Sequence, residues 1–315
     1  MSLVIANQLG PEFGALLAAH PVSPIVIDVP EERPWEAAAE ADVLIVRPAP
    51  AWRAPPAAQK PGLWPGRLRW VCVASVGVDY YPSWLLDAPL VSCGRGVASE
   101  EIADYVIAAI YAQAKDLVAA TVTEAGQWGP RQLGRVRGTT VGILGFGAIG
   151  QAVARRALAL GAQVTAVRRR DRPANVAGVQ LLGSAAEVVS AADHLVIAVP
   201  ATAETRHLVD AALLAHARPH AHLINIARGS IVDQEALLAA LDADRLAFAT
   251  LDVTDPEPLP AGHPLYTHPK VRITPHISAN YLAVRHLLAD KITADLSRFA
   301  RGERPSDLVD PALGY

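Results

Sequence analysis

The chain has 315 residues, and this length predicts two domains because single hydrophobic cores rarely grow beyond roughly 250–300 residues. Hydrophobic residues make up 51% of the sequence and charged residues 19%, as in an ordinary globular protein. The formal net charge of −3 shows no basic excess, so we expect neither nucleic acid nor an anionic membrane surface as a partner. No segment approaches the roughly 20 uninterrupted apolar residues of a membrane span.

Cysteine content and the amino terminus bear on compartment and metal binding. Cys72 and Cys93 form no CxxC or other metal-type spacing, so we predict two buried thiols and no metal site. The first residues, MSLVIANQLG, contain no basic region and no long apolar run, so we expect no signal peptide. Together these features favour the reducing cytoplasm.

The first part of the chain alternates short apolar runs with connections rich in proline and alanine. Helical stretches separate several of these runs, which predicts a small α/β layer. Residues 48–65 contain six prolines and are predicted to form a long loop. The predicted strands are 3–6, 25–29, 43–47, 70–74 and 90–93.

A helix is predicted to begin at Ser99, which is a good N-cap residue, and Glu100 suits the positive end of the helix dipole. Ile102, Val106 and Ile110 give this helix one apolar face.

A second and more regular α/β pattern follows. Its near-continuous apolar strands alternate with helical segments and argue for a parallel sheet that is covered on both faces. A closing helix is predicted over residues 281–301, with Leu282, Leu287, Ile292 and Leu296 as its apolar residues. The predicted strands of this pattern are 140–144, 163–167, 195–199, 223–226, 248–253 and 271–274.

The first strand of this pattern leads into a glycine motif that is typical of dinucleotide binding. Gly145 permits a tight turn, Gly147 lets the backbone approach a pyrophosphate, and Gly150 lets helix and strand pack closely. Ala148 and Ile149 begin the helix, whose amino terminus attracts the phosphate charge. A glycine motif alone is a weak signal, but here strand, glycines and helix occur in order within one βαβ unit.

The end of the following strand bears on the choice between NAD and NADP. An acidic residue at that place would bind the ribose 2′-hydroxyl of NAD, but this chain has Arg168, Arg169 and Arg170, and Asp171 comes only afterwards. Arginines there can pair with a 2′-phosphate. We therefore predict NADP as the preferred cofactor and NAD as the alternative, although a solvated basic turn would give the same sequence.

Polar residues stand at or just after the ends of three later strands. Arg228, Asp252 and His276 each lie at the carboxyl end of a predicted strand, and Glu257 lies in the loop after one. Ligands of open α/β sheets bind outside the carboxyl ends of the strands, so we expect these four residues to converge on one crevice.

These residue types suit the reduction of a 2-keto acid. Arg228 can hold the carboxylate and carbonyl oxygens with its planar fork of donors. His276 can deliver a proton to the developing alkoxide, and Glu257 can orient the imidazole and favour its protonated form. Asp252 can bond the carboxamide of a nicotinamide. Each residue alone has a simpler interpretation, as a surface ion-pair partner or a structural histidine.

Several motifs in a fixed order extend this picture. From about Ser75 to His276 the chain resembles the D-isomer-specific 2-hydroxyacid dehydrogenase family along nearly its whole length. The matching segments are SVGVDYYP, GVASEEIADYVIAAI, VGILGFGAIGQAVARRALALGAQV, VPATAETRHLV, LINIARGSIVDQEALLAAL, LDVTDPEPLPAGHPLYTHPKVRITPHIS and the closing LVDPALGY.

The resemblance implies specific site residues. It implies Arg228, Glu257 and His276 as the catalytic residues, and the backbone amides of Val76 and Gly77 as contacts of the substrate carboxylate. The glycine motif, Arg168, Arg169 and Asp252 are already expected to contact the cofactor, and the resemblance adds three more residues to this set. These are Val199, Pro200 and Ala227.

The resemblance further implies two α/β domains, Rossmann-like or flavodoxin-like, with parallel sheets and a cleft between them. The substrate domain would comprise residues 1–93 plus 282–315, and the cofactor domain residues 94–281. The implied assembly is a homodimer joined through the cofactor domain. Many family members have Glu-His where this chain has Asp104 and Tyr105, a difference that we interpret as a packing change.

Glyoxylate and hydroxypyruvate are the expected substrates, because the arginines after the second strand and the closing LVDPALGY resemble the glyoxylate/hydroxypyruvate reductase branch. One alternative is an enzyme like phosphoglycerate dehydrogenase, which would need a basic residue near residues 75–79 to hold a phosphate, and none is there. A second alternative is a dinucleotide-sensing protein like the corepressors of this fold, which turnover would distinguish from an enzyme.

Overall fold

The structure is a computed structural model that describes residues 2–169 and 175–315. Arg170 and Asp171, which follow the two arginines predicted to bind the cofactor, lie outside the described residues. The strands are β1 (Val4–Asn7), β2 (Ile25–Asp28), β3 (Val43–Val46), β4 (Trp70–Val73), β5 (Val91–Cys93), β6 (Thr140–Leu144), β7 (Gln163–Val167), β8 (Val179–Leu181), β9 (His194–Ile197), β10 (His222–Asn225), β11 (Phe248–Leu251) and β12 (Val271–Ile273).

Helices connect most of these strands. They are α1 (Pro11–Ala18), α2 (Ser99–Lys115), α3 (Leu117–Ala120), α4 (Ala148–Ala159), α5 (Ala185–Ala191), α6 (Ala211–Leu214), α7 (Gln234–Asp242) and α8 (Tyr281–Ala300). Among the described residues, no helix has the length and apolar character needed to cross a membrane.

The chain forms two compact units, Met1–Ala98 with Tyr281–Tyr315, and Ser99–Asn280. The first unit contains a five-stranded parallel sheet in the order β2-β1-β3-β4-β5, which is the flavodoxin-like order. One face of this sheet packs against α1 and α8, and the other packs against a cluster rich in tryptophan. The α/β prediction is therefore confirmed for this part of the chain.

The tryptophan-rich face corrects the prediction for residues 48–65. This segment forms two short 3₁₀ helices, Pro50–Arg53 and Pro55–Ala58, rather than one long loop. Trp52 and Trp64 are buried there, and Trp52 donates a hydrogen bond from its indole nitrogen to Gln8 Oε1 at 3.1 Å. Burial of these aromatic side chains orders a segment that its prolines made look irregular.

The second unit contains a seven-stranded parallel sheet in the order β12-β11-β10-β9-β6-β7-β8. Six of these strands agree with the prediction, and β8 was missed. The helix predicted from Ser99 is α2, and its predicted apolar residues Ile102, Val106 and Ile110 are buried. These two parallel sheets confirm the predicted fold class.

Helix α8 begins and ends close to the predicted limits, but part of its predicted apolar face is wrong. Leu282 is 74% exposed and Leu287 is 41% exposed. The buried stripe instead follows a spacing of four residues, which keeps side chains on one face of a helix. Its members are Val284, Leu288, Ile292 and Leu296.

The contact pattern divides the chain after Ala98 and after Asn280, whereas the sequence placed these boundaries at residues 93 and 281. Gly94 lies against the loop after β4, because its N–H donates to Ser75 O at 2.9 Å and a Cβ on it would lie 2.3 Å from Ala74 O. The segment after β5 therefore packs against the β4 loop, and the second unit begins with α2. The substrate and cofactor functions of the two units remain predictions.

Candidate active site at the carboxyl edge of the second sheet

The carboxyl ends of the strands of the second unit form one edge, and the predicted site residues lie along it. Strand β6 pairs with β7 on one side and β9 on the other, so the chain reverses its direction of winding here, as at the ligand-binding switch point of α/β sheets. Following the sheet order, the residues are His276 after β12, Asp252 and Glu257 after β11, Ala227 and Arg228 after β10, Val199 and Pro200 after β9, the Gly145–Gly150 motif after β6, and Arg168 and Arg169 after β7.

The glycine motif has the geometry that close backbone approach requires. Gly145 has φ +96°, and a Cβ on it would lie 2.6 Å from Ala198 O. A Cβ on Gly150 would lie 2.4 Å from Gly145 O, so helix α4 packs against this turn only with glycine there. Gly147 caps α4, and a Cβ on it would meet no protein atom within 4 Å. The open side at Gly147 and the helix amino terminus fit a pyrophosphate.

The arginines predicted to bind the ribose phosphate stand directly after β7. Nη1 of Arg169 lies 3.0 Å from Glu204 Oε2 in an ion pair whose side chains are about half and more than two-thirds exposed. An exposed pair of this kind contributes little to stability and can exchange partners. Arg168 is the residue next to Val167, the last residue of β7.

Buried contacts shape the turn that carries Arg228. The amide of Asn225, which is fully buried, donates from Nδ2 to Arg228 O at 2.9 Å and accepts from Ala227 N–H at 3.1 Å. Nη1 of Arg228 donates to Ala227 O at 2.7 Å. A Cβ on Gly229 would lie 1.9 Å from the backbone carbon of Thr254, so only glycine fits after this arginine.

His276 and Glu257 form a direct pair on adjacent loops. Nδ1 of His276 lies 3.0 Å from Glu257 Oε1 and 3.2 Å from Oε2. Because Nδ1 is engaged by the carboxylate, Nε2 is the nitrogen left for another group. The two side chains are 45% and 42% exposed, so a small molecule can reach the imidazole.

Asp252 lies beneath this pair and is completely buried. Its carboxylate accepts hydrogen bonds from Thr274 Oγ1 at 2.7 Å, from Ile277 N–H at 2.8 Å and from Ser278 N–H at 2.9 Å. These donors lie on both sides of His276. The side chain therefore holds the turn after β12, and its contact with a nicotinamide carboxamide stays a prediction.

In the first unit, the loop after β4 carries the two residues expected to contact the substrate carboxylate. Ser75 Oγ donates to Gly77 O at 2.7 Å, which bends this loop, and Val76 is 38% exposed. The binding function of these backbone amides stays a prediction.

Comparison with known proteins agrees with this arrangement. The family model for the NAD binding domain of D-isomer specific 2-hydroxyacid dehydrogenases matches residues 107–278. Glyoxylate/hydroxypyruvate reductase A of Serratia proteamaculans (strain 568) is 33% identical over 262 residues, which cover 79% of this chain and 82% of that protein. The chain belongs to the D-isomer specific 2-hydroxyacid dehydrogenase family.

Two further relatives of this dehydrogenase extend the comparison. Glyoxylate reductase of Thermococcus gammatolerans (strain DSM 15229 / JCM 11827 / EJ3) is 34% identical over 225 residues, which cover 68% of this chain and 67% of that protein. A D-isomer specific 2-hydroxyacid dehydrogenase of Xanthobacter autotrophicus Py2, solved in complex with NADPH and MES, is 27% identical with a TM-score of 0.82. That alignment covers 100% of this chain and 99% of that one.

Several residues that fix the loops around Arg228 and His276 were not predicted from the sequence. Asn225 and Gly229 stand beside Arg228 in the sequence, and that proximity was the available signal for them. Tyr105 and Thr274 are 169 positions apart, yet their hydroxyl oxygens lie 2.5 Å from each other. The only signal for this contact was the departure from the family's commoner residue at Tyr105.

Proposed function

We propose that this dehydrogenase reduces small 2-keto acids, with glyoxylate and hydroxypyruvate as the leading candidates, to D-2-hydroxy acids and prefers NADPH over NADH. The observation that carries the proposal is the contact of His276 Nδ1 with the Glu257 carboxylate at the edge that also carries Arg228. The names of the relatives from Serratia and Thermococcus support the substrates, and the NADPH bound by the Xanthobacter protein supports the cofactor.

Each catalytic side chain has a definite task. The fork of Arg228 holds the carboxylate and the carbonyl oxygen of the keto acid. His276 gives the proton on Nε2 to that oxygen while the carbonyl carbon is reduced, and the Glu257 carboxylate stabilises the positive imidazolium before this transfer. A bound reduced nicotinamide supplies the hydride. The amides of Val76 and Gly77 are the proposed donors to the substrate carboxylate.

The same arrangement gives a test of substrate and cofactor. Initial rates are measured with NADPH and, separately, NADH against glyoxylate, hydroxypyruvate, pyruvate, phenylpyruvate and 3-phosphohydroxypyruvate. We expect the highest kcat/KM with NADPH and one of the first two acids. Faster reduction of 3-phosphohydroxypyruvate would favour the phosphoglycerate dehydrogenase alternative. Tight dinucleotide binding with no turnover of any of the five acids would instead favour a sensor.

We also propose that the dehydrogenase is a homodimer joined through its second unit. Val118 and Trp128 are 90% and 82% exposed, and Leu117 and Leu133 in the same stretch of the chain are also exposed. Exposed apolar side chains that lie close together in the sequence support an interaction surface on this unit. Sedimentation equilibrium should give about twice the chain mass of 33.3 kDa, and Trp128→Asp should shift the protein toward monomer. A monomeric wild-type protein would exclude this assembly.

The two cysteines support the proposed cytoplasmic location. Cys72 and Cys93 are buried and not joined in a disulfide, and burial raises the pKa of the Cys72 thiol to about 12. Two cysteines that are not joined in a disulfide suit a reducing compartment.

A further inference from the structure

The turn that carries His276 has an unusual backbone conformation. His276 has φ +53°, in the left-handed region that residues other than glycine rarely adopt. Its N–H donates to Asp252 O at 2.8 Å and to Thr274 O at 2.9 Å. A conformation of this kind persists only where surrounding contacts fix it. The contacts that fix this turn therefore determine where the imidazole points.

Three side chains linked in series by hydrogen bonds supply those contacts. The buried Asp252 carboxylate accepts from the backbone N–H groups of Ile277 and Ser278 on one side of His276 and from Thr274 Oγ1 on the other. The hydroxyl of Thr274 has a single proton, and it points toward the carboxylate. Thr274 Oγ1 can then only accept from the next member of the chain.

Tyr105 is that next member. Its hydroxyl oxygen lies 2.5 Å from Thr274 Oγ1, and since the threonine proton is already engaged, Tyr105 donates. The tyrosine belongs to α2, a helix of 17 residues that is buried along one face, so it ties the turn to a rigid element. Burial raises the pKa of Tyr105, so the phenol keeps the proton that it donates.

We propose that Tyr105 is a positioning residue for the proton-donating histidine, acting through Thr274 and Asp252 on the turn that holds the His276–Glu257 pair. This inference rests on the proposed function, because it gives the turn a catalytic consequence. It also replaces the sequence-based interpretation of Tyr105 as a packing change. The ring of Tyr105 is half-buried, while its hydroxyl orders a turn that lies 169 positions later in the sequence.

The test is Tyr105→Phe, which keeps the ring and removes the donor. A catalytic group misplaced by about 1 Å can cost roughly 100-fold in rate, so a partly loosened turn should lower kcat about 3- to 30-fold. The KM for the keto acid and the Kd for NADPH should change by less than about twofold, because Arg228 and the glycine motif are untouched. The matched control is Tyr111→Phe, which removes the hydroxyl of a more exposed tyrosine on the same helix and should leave kcat unchanged.

Thr274→Val breaks the same series of hydrogen bonds at its next member, because valine has no hydroxyl to donate to Asp252. If both hydroxyls act through one path, Thr274→Val should lower kcat to a similar extent, and the double variant should be little worse than either single one. Losses of kcat that multiply in the double variant would mean that the two residues act separately, and this would overturn the proposal.

A second readout is independent of turnover. In spectra of the ¹⁵N-labelled protein, the His276 imidazole signals are identified by their absence in His276→Gln. They should shift in Tyr105→Phe as the bond to Glu257 loosens, and they should not shift in Tyr111→Phe. Unmoved signals together with an unchanged kcat would overturn the proposal. A wild-type protein that turns over no keto acid would contradict the proposed function, while the imidazole signals would still test the positioning.

Discussion

The smallest change that tests the proposed proton transfer is His276→Gln. Glutamine keeps the length and polarity of the side chain but cannot give up a proton, so kcat should fall roughly 10²–10⁴-fold while NADPH still binds. The control is His216→Gln, which changes an exposed histidine away from the strand ends. If His276→Gln kept more than half of the wild-type kcat, another residue would have to supply the proton.

Cofactor preference is decided by single residues as well. Arg168→Asp should remove a donor to the 2′-phosphate and repel that phosphate, so the ratio of kcat/KM for NADPH to that for NADH should fall. Hydrogen bonds to charged groups contribute roughly 1.5–3 kcal/mol, which corresponds to about 10–100-fold for one good arginine. Arg169→Asp is measured beside it, because Arg169 is the other arginine predicted to reach the phosphate and lies in an exposed ion pair with Glu204, so the ratio should fall in that variant as well. An NADH preference in the unmodified enzyme would mean that these arginines point away from the ribose.

The sequence could place Arg228, Glu257 and His276 at one edge of the sheet because each follows a parallel strand, and the carboxyl ends of such strands share one edge. It could not identify Tyr105. A helical tyrosine has the same local pattern whether it faces solvent or a distant loop, and its contact with Thr274 depends on how α2 packs.

At the scale of elements, two glycines of the turn between β6 and α4 should affect different properties, one the binding of NADPH and the other the stability of the fold. Gly147→Ala should fold normally, because a methyl group there meets no protein atom within 4 Å, but it should weaken NADPH binding by occupying the place of the pyrophosphate. Gly150→Ala should instead lower the unfolding temperature, because its Cβ would lie 2.4 Å from Gly145 O. Fluorescence titration with NADPH and thermal unfolding measure the two effects. Equal NADPH affinity in Gly147→Ala and wild type would contradict this assignment.

The elements that the sequence predicted well are those with a strong apolar signal. Strands β3, β4 and β9 are buried at every position, and their apolar runs were sufficient to find them. Strand β8 has three residues that are exposed or half-buried at the edge of the sheet, so no apolar run marks it. In α8, the predicted Ile292 and Leu296 are buried, but Leu282 and Leu287 do not lie on the same face, and a spacing of four residues marks the buried stripe.

At the scale of the whole molecule, the division into two units follows from packing that a single sequence shows only in part. The two α/β patterns and their parallel sheets were predictable from alternating strands and helices. The position of the first boundary was not, because it depends on the close approach of Gly94 to the β4 loop. Such an approach joins residues that are distant in sequence.

The stability of the molecule should fall in mild acid because of two buried histidines at the amino ends of β9 and β10. Burial lowers the pKa of His194 to about 4, and burial, with the neighbouring His194 and Arg272, lowers the pKa of His222 as well. The two rings are 5.7 Å apart, and His222 Nε2 lies 2.8 Å from Thr250 Oγ1. Neither ring can take up a proton readily in the folded protein, whereas both can in the unfolded chain.

The sign of the effect follows from these lowered pKa values. The contribution of the neutral histidines is fully present above the unfolded pKa of about 6.5, and it is lost as the pH falls below that value, for His194 toward about 4. Each histidine should contribute a slope of up to about 1.4 kcal/mol per pH unit to the free energy of unfolding in that window. Urea unfolding between pH 7.5 and 4.5 should therefore show a steep loss of stability. In His222→Gln the slope of the free energy of unfolding against pH should be smaller by up to about 1.4 kcal/mol per pH unit, because one proton fewer is taken up on unfolding. His216→Gln, at an exposed histidine, should leave the slope unchanged, and a wild-type slope in His222→Gln would show that other groups take up the protons.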